Sequence, residues 1–145
     1  MARARAVDRR LYLLVEITAR RLHRQADARL RKEAGVTAAQ SAVLFLLSRR
    51  GERRMGAISD TLALGAPAVT GLVSRMEAAG LVSRSADTSD RRGAVVSLTE
   101  AGRQAAFKAD QTLKAINAEL AERLGEDDAD ALQDLLTRLS TGELT

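Results

Sequence analysis

Apolar residues recur at intervals of three and four along most of this chain, a spacing that predicts helices. The first such segment covers residues 8 to about 32, and Gly35 follows it as a stop signal. A helix of this length extends roughly 40 Å at about 1.5 Å per residue, more than a compact domain of this size needs. We therefore expect part of it to pack on another subunit. Its periodic positions are Leu11, Leu14, Val15, Thr18 and Leu22.

Two shorter helices come next. Thr37 and Gln40 form a capping box, in which each side chain accepts a hydrogen bond from the other residue's backbone N–H, so a leucine-rich helix starts here. Residues 52–54 make a loop or a short strand, and residues 55–62 form a third helix. Gly65, in the turn that follows, is available for a positive φ angle.

The fourth helix covers residues 66–79 and is opened by Pro67, the only proline, and closed by Gly80. Its apolar positions share one face: Val69, Leu72, Val73 and Met76. The opposite face holds small and polar residues: Thr70, Gly71, Ser74 and Arg75. Because bulky side chains would hold the backbone away from the base edges, we expect this second face to enter a groove.

Residues 81–84 and 95–98 predict two short strands, joined by a loop rich in Asp, Ser, Thr and Gly. The tip of this hairpin carries Arg91 and Arg92, and a basic tip is suited to contact an anionic partner. A helix followed by a strand, a basic tip and a second strand is the order in which a winged helix binds duplex DNA.

Two further helices complete the chain. Thr99 caps the first of them, with Glu100 near the positive end of its dipole. This helix stops at Gly125, and Asp127 or Asp128 caps the last one. Their apolar positions are Phe107, Leu113, Ile116, Leu120 and Leu124, then Ala129, Leu132, Leu135, Leu136 and Leu139.

The composition of the 145 residues fits one domain, and its 2% of aromatic residues favours packed helices over a β-sandwich. The absence of cysteine excludes disulfides, thiolate metal sites and a thiol redox switch. A single histidine makes a poor metal site, so we expect no metal and no cofactor. No segment approaches the roughly 20 apolar residues that cross a bilayer, and no targeting segment is evident, so we expect a soluble cytoplasmic protein without membrane contact.

The net charge of +4 is distributed unevenly. The balance is +9 over residues 1–54, zero over residues 55–103 and −5 over residues 104–145. A basic front and an acidic tail attract each other within one subunit or between two. Neither a nucleophile–histidine–acid signature nor a phosphate-binding glycine loop is present, so we do not expect an enzyme.

These residues resemble the MarR-type (multiple-antibiotic-resistance regulator) winged-helix transcription factors. The segment most similar to the family's wing reads Asp87, Asp90, Arg91, Arg92 and Gly93, then Val96, Leu98, Thr99 and Gly102. The resemblance implies a mainly α fold with a small β-hairpin wing, a winged helix-turn-helix with N- and C-terminal dimerisation helices. Residues 1–145 would form a single MarR-like domain, with a DNA-binding lobe at about 37–98 and dimerisation helices at about 8–34 and 100–141.

For DNA contacts, we expect Arg92 to enter the minor groove and Arg91 to meet phosphate. By resemblance, Asp90 braces the wing by pairing with Arg75 or Arg84. The other candidates lie on the fourth helix: Thr70, Ser74 and Arg75 at base edges or phosphate, and Ala66, Pro67 and Ala68 approaching the DNA backbone. Gly71 departs from the family, since many relatives carry an arginine there, so we expect weaker direct readout at this position.

Tyr12, Glu16, Ala19 and His23 share one helical face at spacings of four, three and four. By resemblance, this helix lines a cleft that binds small, often aromatic or anionic effectors, and Phe45 completes the candidate set. The alternative is a histidine at the helix surface or at a dimer contact.

The resemblance implies a homodimer on double-stranded DNA with a pseudo-palindromic operator, whose half-sites lie about 34 Å apart. We expect a repressor that leaves its operator when a small effector binds. One alternative is a regulator without an effector, controlled by concentration or by a protein partner. The other is a helical interaction module that does not bind DNA.

Overall fold

The structure is a computed structural model that describes residues 10–87 and 90–144; for Asp87 and residues 90–92 it describes the backbone alone. The mainly α fold with a small β-hairpin is confirmed. The elements are α1 (Leu11–Ala34), α2 (Ala38–Arg50), β1 (Arg53–Arg54), α3 (Met55–Leu62), α4 (Ala66–Ala78), β2 (Val82–Asp87), β3 (Asp90–Leu98), α5 (Glu100–Leu124) and α6 (Glu126–Ser140).

The chain divides into two compact units within α5, one ending at Thr112 and the other starting at Leu113. The predicted boundaries of a lobe and of flanking dimerisation helices remain a prediction. No single helix among the described residues is long and apolar enough to cross a membrane; α3 and α4 pass that test only as a pair, which is bent by 114°. The buried core of the first unit includes apolar residues from both of these helices.

The core of the first unit is aliphatic, as the shortage of aromatic residues predicted. Its fully buried large side chains come from α1 through α4 and from β3: Leu30, Val43, Leu44, Ile58, Val69, Val73, Met76 and Val96. Val69, Val73 and Met76 lie on the face of α4 that the spacing of three and four had marked as apolar. Burial of a side chain of this size contributes about 1.5–3 kcal/mol.

Local signals end α1 and start α2 where the sequence predicted. Gly35 caps α1 in the left-handed conformation at φ 71°. The Thr37 hydroxyl accepts a hydrogen bond from the Gln40 N–H, and the Gln40 amide oxygen accepts one from the Thr37 N–H, both at 3.0 Å. The capping box is therefore confirmed.

The turn between α3 and α4 differs from our prediction. Ala63, at φ 54°, is the left-handed residue, whereas Gly65 has φ −66° and extended backbone. The Ser59 hydroxyl donates to the Leu64 carbonyl and holds the chain in this turn. The prediction for Gly65 was wrong because α3 closes with its left-handed cap two residues earlier, and Gly65 serves as the N-cap of α4.

The three strands form an antiparallel sheet in the order β1-β3-β2. Val82 pairs with Leu98 and Arg84 with Val96, and β1 covers the other edge of β3, where Arg53 pairs with Val96. Both hairpin strands extend beyond the predicted residues 81–84 and 95–98. The register shifts between Ala86 and Asp87, near the tip.

In the second unit, α6 begins at Glu126 after Gly125, whose φ is 86°. No side chain caps this helix, so the predicted cap at Asp127 or Asp128 was wrong; both residues lie in its first turn. Carboxylates there are still favourable, because the N-terminal end of a helix is positive. The periodic leucines of α6 are exposed: Leu132, Leu135, Leu136 and Leu139.

Candidate nucleic-acid interface

Helix α4 presents one apolar face and one small, polar face, as its sequence predicted. Val69, Leu72, Val73 and Met76 are buried. Thr70, Ser74 and Arg75 are exposed and Gly71 is half-buried. The exposed side of α4 is therefore free to approach a ligand while its other side anchors the helix in the core.

The amino-terminal turn of α4 is exposed and carries no acidic residue. It consists of Ala66, Pro67 and Ala68, and Pro67 fits there because its missing N–H would have no helical acceptor. A helix end without acidic side chains keeps its positive potential, which favours an anion such as phosphate.

Two polar residues on this face have defined hydrogen-bonding states. The Thr70 hydroxyl donates to the Ala66 carbonyl at 3.0 Å, so its proton is used within the helix and its oxygen remains an acceptor. Arg75 lies one turn beyond Gly71, and a Cβ atom added to Gly71 would be 3.3 Å from Arg75 Nη1. The Arg75 guanidinium thus lies beside the space that the missing side chain leaves.

A salt bridge that the sequence reasoning missed ties the wing, the hairpin of β2 and β3, to α4. Arg84 Nη2 and Nε donate to Glu77 Oε1 at 3.0 and 3.3 Å, and the Arg84 N–H donates to Glu77 Oε2 at 3.3 Å. We had expected Arg84 or Arg75 to pair with Asp90, whose side chain lies outside the described residues. The opposite charges of Glu77, near the end of α4, and Arg84, on β2, are the sequence signal that could have predicted this pair.

The base of the wing is fastened to the start of α5. The Thr99 hydroxyl accepts from the Gly102 N–H at 3.0 Å and donates to the Gly80 carbonyl at 2.6 Å, so the predicted helix cap is confirmed. The Thr99 N–H also donates to the Leu81 carbonyl at 3.1 Å. A Cβ on Gly102 would lie 1.9 Å from the Leu81 oxygen, so only glycine permits this approach.

The charged residues at the wing tip are only partly within the described structure. The backbone of Asp90, Arg91 and Arg92 lies in β3. Their side chains lie outside the described residues, and their expected roles remain predictions.

The effector candidates on α1 are exposed, except Glu16, which is partly buried and pairs with Arg20. Ala19 and His23 line an open cavity of about 660 Å³ together with Arg20 and Arg24, which the sequence reasoning did not name. Tyr12, 74% exposed, and Glu16 are not among the described residues that line it. Arg20 and Arg24 follow Glu16 at intervals of four along α1, and this spacing could have added them to the candidate set.

Phe45 lies on α2 and is 48% exposed. The Arg49 guanidinium lies 5.2 Å from its ring centroid, within range of a cation–π interaction, and Arg49 Nη2 is 3.9 Å from Asp110 Oδ1. Phe45 is not among the described residues that line the cavity beside His23. The expected contact between Phe45 and an effector remains a prediction.

Two carboxylates of α1 connect it to neighbouring helices. Asp27 Oδ1 accepts from the Ala38 N–H at 2.8 Å, which lowers the pKa of Asp27, and a hydrogen bond from Arg31 at 2.7 Å lowers the pKa further. Glu33 Oε1 accepts from the buried Thr112 hydroxyl at 2.9 Å, and this bond is the main cause of its lowered pKa.

Within the described parts of the chain, no three His, Cys, Asp or Glu side chains meet in a group that could hold a metal ion. Basic and polar side chains of the described residues lie instead on exposed surfaces, which include the outer side of α4, the wing and the cavity on α1.

Comparison with known proteins returns transcriptional regulators among both curated relatives and solved structures. A profile of the MarR family matches residues 34–93, which include α2, α3, α4 and most of the wing. The helix-turn-helix type transcriptional regulator YfiV of Bacillus subtilis is 39% identical over 61 residues. That match covers 42% of this chain and 38% of YfiV, so the chain aligns with less than half the length of this relative.

Solved structures are similar over nearly the whole chain. The transcriptional repressor CouR, bound to a 23-mer DNA duplex, superposes with a TM-score of 0.83 at 27% identity and covers 92% of this chain and 94% of its own. NadR in complex with 4-hydroxyphenylacetate superposes with a TM-score of 0.74 at 27% identity, covering 90% and 92%.

Proposed function

Because a profile of the MarR family matches residues 34–93 and the fold is similar to that of CouR, we propose that the chain belongs to the MarR family and is a sequence-specific DNA-binding transcription regulator that works as a homodimeric repressor. The observation that carries this proposal is the exposed small and polar face of α4, held beside the wing in a fold similar to that of CouR on DNA. We assign it no catalytic activity and place its action in the cytoplasm, where DNA is accessible.

In this proposal α4 enters the major groove and the wing the adjacent minor groove. Arg92 inserts into the minor groove, Arg91 binds phosphate and Asp90 braces the tip. The exposed first turn of α4 meets the DNA backbone with its free N–H groups. The remaining contacts come from four residues of α4: Thr70, Gly71, Ser74 and Arg75.

The exposed leucines support a homodimer. Leu11, Leu14 and Val15 of α1 are exposed, as is the leucine face of α6. Apolar stripes of this size are usually covered by a partner in soluble proteins. A second copy supplies a matching stripe by two-fold symmetry and places a second α4 at the other half of a pseudo-palindromic operator.

The cavity on α1 supports control by a small anionic effector. Arg20, His23 and Arg24 surround it with groups that bind carboxylates, and NadR, of the same fold, binds an aromatic carboxylate. An effector releases the operator only if it binds the DNA-free arrangement more tightly. The second candidate, a regulator without an effector, predicts that aromatic carboxylates leave operator affinity unchanged.

The decisive experiment isolates fragments that the protein selects from its own genome and then measures affinity for the recovered operator at several salt concentrations. We expect affinity to fall with salt at a slope that reflects several phosphate contacts. Arg92→Ala should weaken operator binding by about 1–3 kcal/mol and leave the dimer intact. Arg21→Ala, an exposed arginine of α1 outside the proposed interface, is the control for the change in charge.

Failure to bind any duplex at low salt would support the helical interaction module instead. Wild-type affinity of Arg92→Ala would remove the wing from the interface. Titration of the operator complex with 4-hydroxyphenylacetate and related aromatic acids separates the regulator with an effector from the one without.

A further inference from the structure

We propose that Arg75 reads a guanine in each operator half-site, and that Gly71 acts as its positioning residue by leaving room for the guanidinium on α4. The inference rests on the proposed function and names the base that the α4 face selects. It also replaces the expectation that Gly71 only weakens direct readout.

Gly71 and Arg75 are four residues apart, so their positions lie one above the other on the exposed side of α4. With Arg75 Nη1 3.3 Å from the place of a Cβ at position 71, even an alanine methyl would crowd the guanidinium. The Arg75 side chain lies beside this position, and a methyl group at residue 71 would displace the end of the side chain by a few tenths of an ångström.

No described residue binds the Arg75 side chain. Among the described residues, its side chain forms no hydrogen bond and no ion pair, although it is exposed. Glu77, the nearest acidic residue along α4, is engaged by Arg84. Within the described part of the chain, the five N–H donors of the guanidinium therefore have no protein acceptor and can bind an external one.

Around Arg75, the exposed face of α4 offers few other hydrogen-bond donors. Arg75 is the only residue of α4 with a long side chain that donates hydrogen bonds. The Thr70 proton is used by the Ala66 carbonyl, and Ser74 has a short side chain. Guanine offers two acceptors, O6 and N7, on its major-groove edge, which match the planar donors of arginine. A guanine is therefore the base that this face selects most strongly.

A phosphate contact by Arg75 is the competing interpretation, and it differs in its consequences. Loss of a phosphate contact weakens all duplexes equally, whereas loss of a base contact removes discrimination at one position. Affinity for a set of operators, each with one guanine replaced, separates the two.

The experiment is a double-mutant cycle on the full-length protein with Gly71→Ala, Arg75→Ala and the combined variant. Fluorescence anisotropy gives the Kd for the operator and for each single-guanine replacement at one fixed salt concentration. We expect Arg75→Ala to weaken operator binding roughly 5- to 150-fold and to abolish the preference for guanine at one position of each half-site. Arg21→Ala, an exposed arginine of α1 outside the proposed interface, is the control and should keep both the affinity and that preference.

Gly71→Ala should weaken operator binding in the wild-type background and have no effect when Arg75 is already alanine. Thermal unfolding of each variant checks folding, and Gly71→Ala should melt no lower than wild type, since alanine favours a helix.

A uniform loss of affinity across all operators for Arg75→Ala would overturn the guanine contact. An equal effect of Gly71→Ala with and without Arg75, or no effect at all, would overturn the positioning role. If the wild-type protein binds no duplex, the proposed function itself fails, and that outcome is distinct from a wild-type protein that binds without coupling between the two residues.

Discussion

The winged lobe (residues 38–98) and helix α6 carry similar apolar periodicity, yet they bury it differently. In the lobe, apolar residues of α2, α3 and α4 pack against one another and against β3, with side chains such as Val43, Ile58 and Met76 fully buried. In α6 the leucines repeat with the same spacing, but Leu135 is 50% exposed and Leu139 58%. The lobe completes its core within one chain, and α6 does not.

This difference separates two kinds of stability. Side chains of the lobe contribute to folding of the single chain, whereas the exposed parts of the α6 leucines contribute only once a partner covers them. The effect of a substitution on stability should therefore depend on protein concentration in α6 but not in the lobe.

The largest effect is expected for Gly102→Ala at the base of the wing. The new methyl group would meet the Leu81 carbonyl oxygen at 1.9 Å, and backbone atoms on both sides have little room to move. We expect a loss of about 3 kcal/mol or more in the free energy of unfolding, measured by urea denaturation. The control is Gly56→Ala in α3, where nothing lies within 4 Å; it should be neutral or slightly stabilising. Equal stability of the two variants would contradict this explanation of Gly102.

Leu136→Asp tests the other side of the comparison. Each dimer would lose two buried leucines, so the dimer dissociation constant should rise by roughly a hundredfold or more, as measured by sedimentation equilibrium. Far-UV circular dichroism should show the helices retained. Thr137→Asp adds the same charge on the side of α6 away from the leucines and should leave the dimer unchanged. A dimer that tolerates Leu136→Asp would show that α6 is not its interface.

A smaller effect is expected at Thr99, which joins the wing to α5. Thr99→Ala removes the acceptor for the Gly102 N–H and the donor to the Gly80 carbonyl, at a cost of about 1–2 kcal/mol in unfolding free energy. Thr99→Ser keeps the hydroxyl and should recover most of this loss. If serine and alanine behave alike, the hydroxyl does not stabilise the joint.

The smallest effect concerns the contact between α1 and the lobe at Asp27. Its pKa lies below the ordinary value of 3.8, mainly because of the hydrogen bond from the Ala38 N–H, so the unfolded chain takes up its proton first as the pH falls. The stabilisation is therefore complete above that ordinary value and is lost as the pH falls through the lowered one. Asp27→Asn keeps an acceptor for Ala38 but no charge, so the melting temperature of this variant should fall less steeply than that of the wild type as the pH is lowered from about 5 to about 2. Identical pH profiles would show that the Asp27 charge does not contribute.

Short-range signals made much of the fold predictable. The capping box at Thr37, the stop at Gly35 and the two faces of α4 depend on residues within one or two helical turns, so the pattern along the chain was sufficient. The turn at Ala63 and the start of α6 were wrong, because the composition of a turn does not fix which residue takes the left-handed conformation.

The candidate site was predicted in its residue types but not in its connections. The segment similar to the family's wing included Thr99 and Gly102, but it did not predict their contacts with Gly80 and Leu81. The pairing of Arg84 with Glu77 was missed because the resemblance pointed to Asp90 as the partner.

The sequence by itself determined the order of helices and strands, the two faces of α4 and the leucine stripe of α6, since each depends on the spacing of neighbours along one element. Only the tertiary structure decided that Arg75 lies over the gap at Gly71, that Glu77 holds Arg84 and that Gly102 touches the Leu81 backbone. These contacts depend on distances through space between side chains and between elements, and the packing of the whole lobe sets those distances.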